Sequence, residues 1–75
     1  PSKETVAVLP GEEFPKELEA ILKKWSPEMT VLVKTPANAR ELAQAAPFTE
    51  GMDARQGKAT YYICTDGACG LPLTY

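Results

Sequence analysis

Two nearly continuous apolar runs stand out from the mixed pattern of the rest of the chain. They lie within residues 5–9 and 30–34, and neither alternates between apolar and polar positions as a half-exposed strand does. A run of this kind is typical of a strand that is covered on both faces. Because a helical pattern lies between the two runs, we predict a strand–helix–strand unit with parallel strands and the first strand at the centre.

The segment between these strands has the pattern of an amphipathic helix. Pro15 suits the first helical turn, and Ser26-Pro27 marks the end of the helix. Glu19 precedes Lys23 by four residues, so the two charges can pair on an exposed face. The apolar positions form one stripe at helical spacing: Phe14, Leu18, Ile21, Leu22 and Trp25. We predict that this stripe packs on the sheet.

A second, shorter helix is predicted after the second strand. Asn38 is expected to cap it, with Glu41 as the reciprocal partner three residues later. Its apolar face consists of small side chains, which would allow a close approach to the sheet: Ala39, Leu42, Ala43 and Ala46. The helix ends at Pro47, and residues 49–57 are polar and without periodicity. We therefore expect residues 49–57 to form an exposed loop.

The C-terminal part of the chain has the pattern of a strand followed by a hairpin. Residues 59–64 alternate, with Ala59, Tyr61 and Ile63 on one face and Thr60, Tyr62 and Cys64 on the other. Asp66-Gly67 favours a two-residue type I′ turn, which would place Cys64 opposite Cys69 at a position where the strands lie closest. Residues 71–73 would then follow as a short strand, and Pro72 assigns that strand to the sheet edge.

These elements predict an α/β fold, a small three-layer βαβαββ module in one domain that spans residues 1–75. The three main strands are expected to be parallel in the order 2-1-3, because right-handed crossovers with helices on opposite faces require the first strand to be central. The cysteine hairpin would add an antiparallel edge strand. A chain of 75 residues can bury only a thin core, so it cannot enclose a deep cavity.

Composition and charge narrow the function classes. Eight basic and ten acidic residues give a net charge of −2, and no basic cluster exceeds the pair Lys23-Lys24, so we expect no nucleic-acid partner and no membrane partner. The chain contains no histidine, which removes the commonest general base and the commonest metal ligand. We therefore predict no catalytic residue, no metal site and no cofactor.

The cysteine pair is the one constellation with a chemical argument behind it. Cys64 and Cys69 could form a cross-strand disulfide, structural or labile to reduction. They could also contribute half of a metal site, although two cysteines cannot complete a four-ligand zinc centre. Finally, they could be two small hydrophobic side chains in the packing. The spacing of four intervening residues excludes a C-x-x-C redox motif.

The last eighteen or so residues resemble the extreme C-terminus of the YyaL-like family of thioredoxin-domain-containing proteins, which are related to the spermatogenesis-associated proteins. Members of this family end in a pattern similar to Gly-Lys-x-x-x-Tyr-x-Cys, four residues, and Cys-x-x-Pro. The matching positions in this chain are Gly57, Lys58, Tyr62, Cys64, Cys69 and Pro72. Upstream of this segment, only the order of the elements agrees with the family.

The resemblance implies a larger parent protein with an N-terminal thioredoxin-like domain, a helical toroid and this chain as its C-terminal piece. We separately expect a cytoplasmic location. The expected function is then a non-catalytic accessory or interaction domain whose partners are the other domains of the parent, with Cys64 and Cys69 as a thiol/disulfide pair. The alternative is an independent redox or metal-handling module that uses the same two cysteines. A third hypothesis is a stand-alone hydrolase or nucleotide-binding domain. The sequence does not support it, because it contains no general base, nucleophile pair or glycine-rich loop.

Overall fold

A computed structural model describes residues 3–25 and 30–74, except for the side chain of Trp25. The elements follow one another as β1 (Lys3–Val8), α1 (Lys16–Trp25), β2 (Thr30–Lys34), α2 (Ala39–Ala45), β3 (Thr60–Thr65), β4 (Ala68–Cys69) and β5 (Leu73–Thr74). Single turns of 3₁₀ helix occupy Pro47–Thr49 and Arg55–Gly57. The mixed α/β class is therefore confirmed. The predicted helix stop at Ser26-Pro27 and the packing of the Trp25 side chain lie outside the described residues.

The strand β1 lies at the centre of the sheet, as its apolar run predicts. It pairs in parallel with β2 and, on its other side, with β3, while β4 and β5 both pair with the outer side of β3. Residues 5–8 of β1 are almost completely buried because both faces and both neighbouring strands cover them. The order 2-1-3 of the main strands is confirmed.

The prediction that β3 runs parallel to β1 is wrong, because β3 is antiparallel to it. Val8, the last residue of β1, pairs with both Lys34 and Thr60. The strand β3 therefore starts at the end of the sheet where β1 and β2 finish. A parallel β3 would require the chain to return along the full strand length of about 17 Å. The helix α2 has seven residues and covers only about 10 Å. The rest of the connection lies over a face of the sheet and brings the chain back to the end where β1 and β2 finish, so β3 begins there and runs antiparallel to β1.

The helix α1 covers one face of the sheet. Leu18 and Leu22 are buried against Ala7, Leu9 and Ala59, which confirms the predicted packing of the stripe for these two leucines. In this helix Glu17 and Glu19 lie in the first turn and Lys23 and Lys24 in the last, as the helix dipole favours. The predicted charge pair is also present, with 3.2 Å between the Lys23 ammonium and the Glu19 carboxylate.

The opposite face is covered by an irregular segment, residues 46–54, which we call the covering segment. Its side chains Phe48, Met52 and Ala54 pack on a cluster formed by Val6, Val8, Tyr62 and Cys64. Thr49 and Met52 are buried, so the expectation of an exposed loop over 49–57 is wrong for its first part. The helix α2 has no buried residue, because its alanine-rich face offers little apolar area to bury.

Asn38 precedes α2 at the predicted position, but its side chain does not cap the helix. Its Oδ1 accepts a hydrogen bond of 2.7 Å from the Thr35 N–H, and its Nδ2 donates one of 2.8 Å to the Val33 carbonyl. The amide therefore closes the turn that follows β2. This use of the side chain competes with capping, and the expected reciprocal pair with Glu41 does not form.

The ammonium group of Lys34 ties the covering segment to the sheet. Lys34 is the last residue of β2 and is only 8% exposed. Its Nζ donates hydrogen bonds to the carbonyl oxygens of Thr49 at 2.7 Å, Glu50 at 3.3 Å and Met52 at 2.9 Å. A buried ammonium is tolerated only when such acceptors replace water. Lys34 thus fixes the segment over the second face of the sheet.

Candidate functional site

The hairpin between β3 and β4 has the predicted turn and register. Asp66 and Gly67 have φ values of 51° and 83°, as a type I′ turn requires at its two central residues. Thr65 pairs with Ala68, and Cys64 pairs with Cys69. Because the Gly70 N–H donates a 3.0 Å hydrogen bond to the Ile63 carbonyl, the cysteine pair occupies the adjacent non-hydrogen-bonded position.

Cys64 and Cys69 form a disulfide bond in this hairpin. Their Cα atoms are 4.0 Å apart, near the spacing of about 4.5 Å that is usual for a non-hydrogen-bonded pair. The turn therefore brings the two sulfur atoms together without help from the rest of the fold. Among the interpretations that the spacing left open, the structure shows the disulfide.

The two ends of the disulfide lie in different environments. Cys64 is 1% exposed and belongs to the apolar cluster beneath the covering segment. Cys69 is exposed and lies in the short edge strand β4. One cysteine is therefore buried in the core, and the other is an exposed residue at the edge of the sheet.

Tyr62 lies two residues before Cys64 on the same buried face. Its hydroxyl donates a 3.1 Å hydrogen bond to the Asp53 carbonyl and accepts one of 3.4 Å from the Asp53 N–H. The ring thus fills the core while its polar end holds the covering segment. The Asp53 side chain is exposed, whereas its backbone N–H and carbonyl are the groups that contact Tyr62.

Pro72 lies at an irregularity of the edge strand. Cys69 pairs with Cys64, whereas Leu73 pairs with Tyr61 and Thr74 with Thr60, so the edge strand contains one residue more than β3 across this interval. The extra residue forms a bulge in which Leu71 and Pro72 together face Tyr62. The strand predicted at 71–73 is consequently displaced to Leu73–Thr74.

Gly57 and Lys58 are not brought to the disulfide. Gly57 has a positive φ of 69° and ends the 3₁₀ turn, and the Lys58 N–H donates a 2.9 Å hydrogen bond to the Arg55 carbonyl. Both precede Thr60, the first residue of β3, whereas Cys64 lies about 13 Å further along that strand. Of the six positions in the family-like motif, four lie around the hairpin and two shape the entrance to β3.

Sequence reasoning overlooked the buried lysine at the end of β2. A strand alternates with a period of two, so Lys34 shares a face with Leu32, and that face is covered. A charged residue that ends an apolar run and shares its buried face was therefore the available signal. The sequence contains no pattern that predicts where the three carbonyl acceptors of Lys34 lie, because these carbonyls belong to the irregular covering segment.

Among the described residues, no three His, Cys, Asp or Glu side chains form a group that could hold a metal ion. In the same part of the chain, neither helix has the length and apolar character needed to cross a bilayer. Comparisons of the chain with protein-family models, curated proteins and solved structures find no match.

The conformation of the turn predicts the effect of a substitution at Gly67. A Cβ atom added there would meet no atom within 4 Å, so only the positive φ opposes a side chain. We expect Gly67→Val to destabilise the hairpin by about 1–2 kcal/mol, since left-handed backbone is costly for a β-branched residue. The reduced variant should therefore form the Cys64–Cys69 disulfide more slowly, as followed by alkylation and mass spectrometry.

Gly51→Val is the matched control, because Gly51 is also in open space and has no positive φ. Equal rates of disulfide formation in the two variants would contradict the role of the turn.

Proposed function

We propose that the chain is a C-terminal accessory domain of a thioredoxin-domain-containing protein, with Cys64 and Cys69 as a reversible thiol/disulfide pair. The observation that carries the proposal is a disulfide that joins two adjacent strands at the sheet edge and links a buried cysteine to an exposed one. Exposed disulfides of this kind are the ones most open to exchange. The resemblance of residues 57–72 to the YyaL-like C-terminus supplies the class of partner, a thioredoxin-like dithiol.

The proposed reaction is thiol–disulfide exchange. A thiolate of the partner attacks one sulfur of the disulfide, a partner–sulfur bond forms, and the Cys64–Cys69 bond breaks. The second thiol of the partner then attacks the first cysteine sulfur of the partner in this mixed disulfide. The partner closes its own disulfide, and the chain is released with two thiols. Two electrons and two protons pass from the partner dithiol to Cys64 and Cys69, so the partner leaves as a disulfide and the chain as a dithiol.

The hairpin geometry supports reversibility of this reaction. The type I′ turn and the hydrogen bond from the Gly70 N–H to the Ile63 carbonyl are formed by backbone atoms, so we expect them to persist when the sulfur–sulfur bond is broken. After reduction, the same turn and register keep Cys64 opposite Cys69, so the thiols remain placed to form the bond again. A redox function is favoured over metal handling because the two sulfur atoms are bonded to each other.

The test is to incubate the oxidised chain with an excess of reduced thioredoxin and to count free thiols by alkylation and mass spectrometry. We expect both cysteines to become alkylated and the disulfide to return when a mild oxidant replaces the reductant. A Cys64→Ser/Cys69→Ser double variant serves as the control and should consume no reducing equivalents. A disulfide that persists in excess reduced thioredoxin would contradict the proposed exchange.

The placement in a parent protein has a separate test in the complete gene. A coding sequence upstream of residue 1 that contains a thioredoxin-like C-x-x-C segment and a long helical region supports the accessory assignment. A gene without these regions favours the independent redox module.

A further inference from the structure

We infer that Cys69 is the sulfur attacked by the partner thiolate, that Cys64 is the leaving group, and that the partner is a protein dithiol that docks along the open edge at residues 68–71. The inference rests on the proposed exchange function and specifies its direction and its docking surface. It follows from the burial of the two sulfurs, the direction of the disulfide and the hydrogen-bond pattern of the edge strand.

Access to the two sulfurs is unequal. Thiol–disulfide exchange requires the incoming sulfur to approach in line with the bond that breaks. The disulfide crosses from β3 to β4, so the line through Cys69 leaves the sheet toward solvent at the edge. The line through Cys64 passes over β1, where Val6 and the covering residue Met52 occupy the same buried cluster. An attacking thiolate therefore has a more open approach to Cys69 than to Cys64.

The backbone at Cys69 offers a docking edge beside the exposed sulfur. Cys69 occupies a non-hydrogen-bonded position of an edge strand, so its N–H and C=O point away from β3 toward the open side. An extended segment of the partner that carries the thiolate can pair with these groups as an added strand. The side chain of Leu71, two residues further on, is 85% exposed and adds an apolar contact at the same edge.

The site thus contains the parts that a protein dithiol needs: an accessible sulfur, an adjacent backbone donor and acceptor, and an exposed leucine. The first step forms the bond between the partner sulfur and Cys69 and breaks the Cys64–Cys69 bond, and the departing Cys64 sulfur takes up one proton, which balances the proton lost when the partner thiol ionised. Cys64 stays in the core, from where it can attack Cys69 again and restore the disulfide if the partner does not complete the reaction.

The experiment traps the mixed disulfide. A thioredoxin in which the second active-site cysteine is serine cannot resolve the intermediate, and a large excess of it keeps the complex populated against re-closure by Cys64 until the mixture is quenched with acid. Peptide mapping by mass spectrometry should locate the linkage on Cys69 in preference to Cys64 by more than about tenfold, because exchange rates follow access to the attacked sulfur. A linkage mainly on Cys64 would overturn this inference and leave the proposed exchange intact.

The docking edge is tested by the rate of reduction. Leu71→Ser should slow reduction by wild-type thioredoxin severalfold and leave the rate with dithiothreitol unchanged, because the small dithiol makes no contact along the edge. Leu73→Ser is the matched control, since Leu73 lies beyond the bulge and is half as exposed at 42%. Equal effects of the two substitutions, or an equal effect on both reductants, would refute docking at residues 68–71. If thioredoxin neither forms a complex nor reduces the chain, both the inference and the proposed function fail.

Discussion

Replacing Leu18 with alanine is expected to lower the free energy of unfolding by about 2–5 kcal/mol. Leu18 is 0% exposed and lies between α1 and the central strand, in contact with the cluster that contains Ala7, Leu9 and Leu22. Truncation removes apolar area from the core and leaves a cavity that the short helix cannot close completely. For 75 residues the whole stability is about 4–11 kcal/mol, so the variant approaches the limit of folding.

Urea denaturation followed by circular dichroism measures this change directly. Lys24→Ala is the matched control, because Lys24 lies on the exposed side of the same helix, and it should shift the free energy by less than about 0.5 kcal/mol. If Leu18→Ala unfolds cooperatively at the same urea concentration as the unchanged chain, the packing of α1 on the sheet is wrong.

The features that sequence predicts well are those fixed by neighbouring residues. The residues Asp66 and Gly67 favour the positive φ angles of a type I′ turn. This turn sets the strand register that places Cys64 opposite Cys69. The same holds for α1, where helical spacing alone places Leu18 and Leu22 on one face. The proximity of the two cysteines could therefore be predicted from the residues of the hairpin alone.

The direction of β3 relative to β1 could not be predicted from the sequence, because it depends on the path of the preceding connection. Alternation in residues 59–64 shows which side chains share a face but is identical for a parallel and an antiparallel strand. The deciding facts are the short length of α2 and the path of the residues after it, which brings the chain back to the end of the sheet where Val8, Lys34 and Thr60 meet. Only the first of these has a trace in the sequence.

The covering segment escaped prediction for a related reason. Phe48, Met52 and Ala54 reach the sheet from an irregular backbone, so their spacing matches neither a helix nor a strand. Polar residues separate them, and this composition is the one expected of an exposed loop. The burial of Cys64, and with it the difference between the two sulfurs, depends on this segment and could not be deduced from the hairpin alone.

The covering segment is held by one charged side chain, and the Lys34→Met variant tests that dependence. Methionine keeps most of the apolar stem of Lys34 but removes the ammonium group that bonds the carbonyls of Thr49 and Met52 at 2.7 Å and 2.9 Å. Hydrogen bonds to a charged group contribute about 1.5–3 kcal/mol each, and the burial of the charge offsets part of this. We expect a net loss of about 2–4 kcal/mol in the free energy of unfolding.

The loss should be accompanied by a local change at the covering segment. The Met52 N–H, which donates a 3.1 Å hydrogen bond to the Thr49 carbonyl, should exchange with deuterium faster in Lys34→Met than global destabilisation alone accounts for. Lys58→Met is the matched control, since the Lys58 side chain is exposed, and it should change neither urea stability nor exchange at Met52. Retained stability and unchanged exchange in Lys34→Met would show that apolar contacts alone keep the segment on the sheet. In that case the burial of Cys64 would depend on Phe48 and Met52 rather than on the lysine.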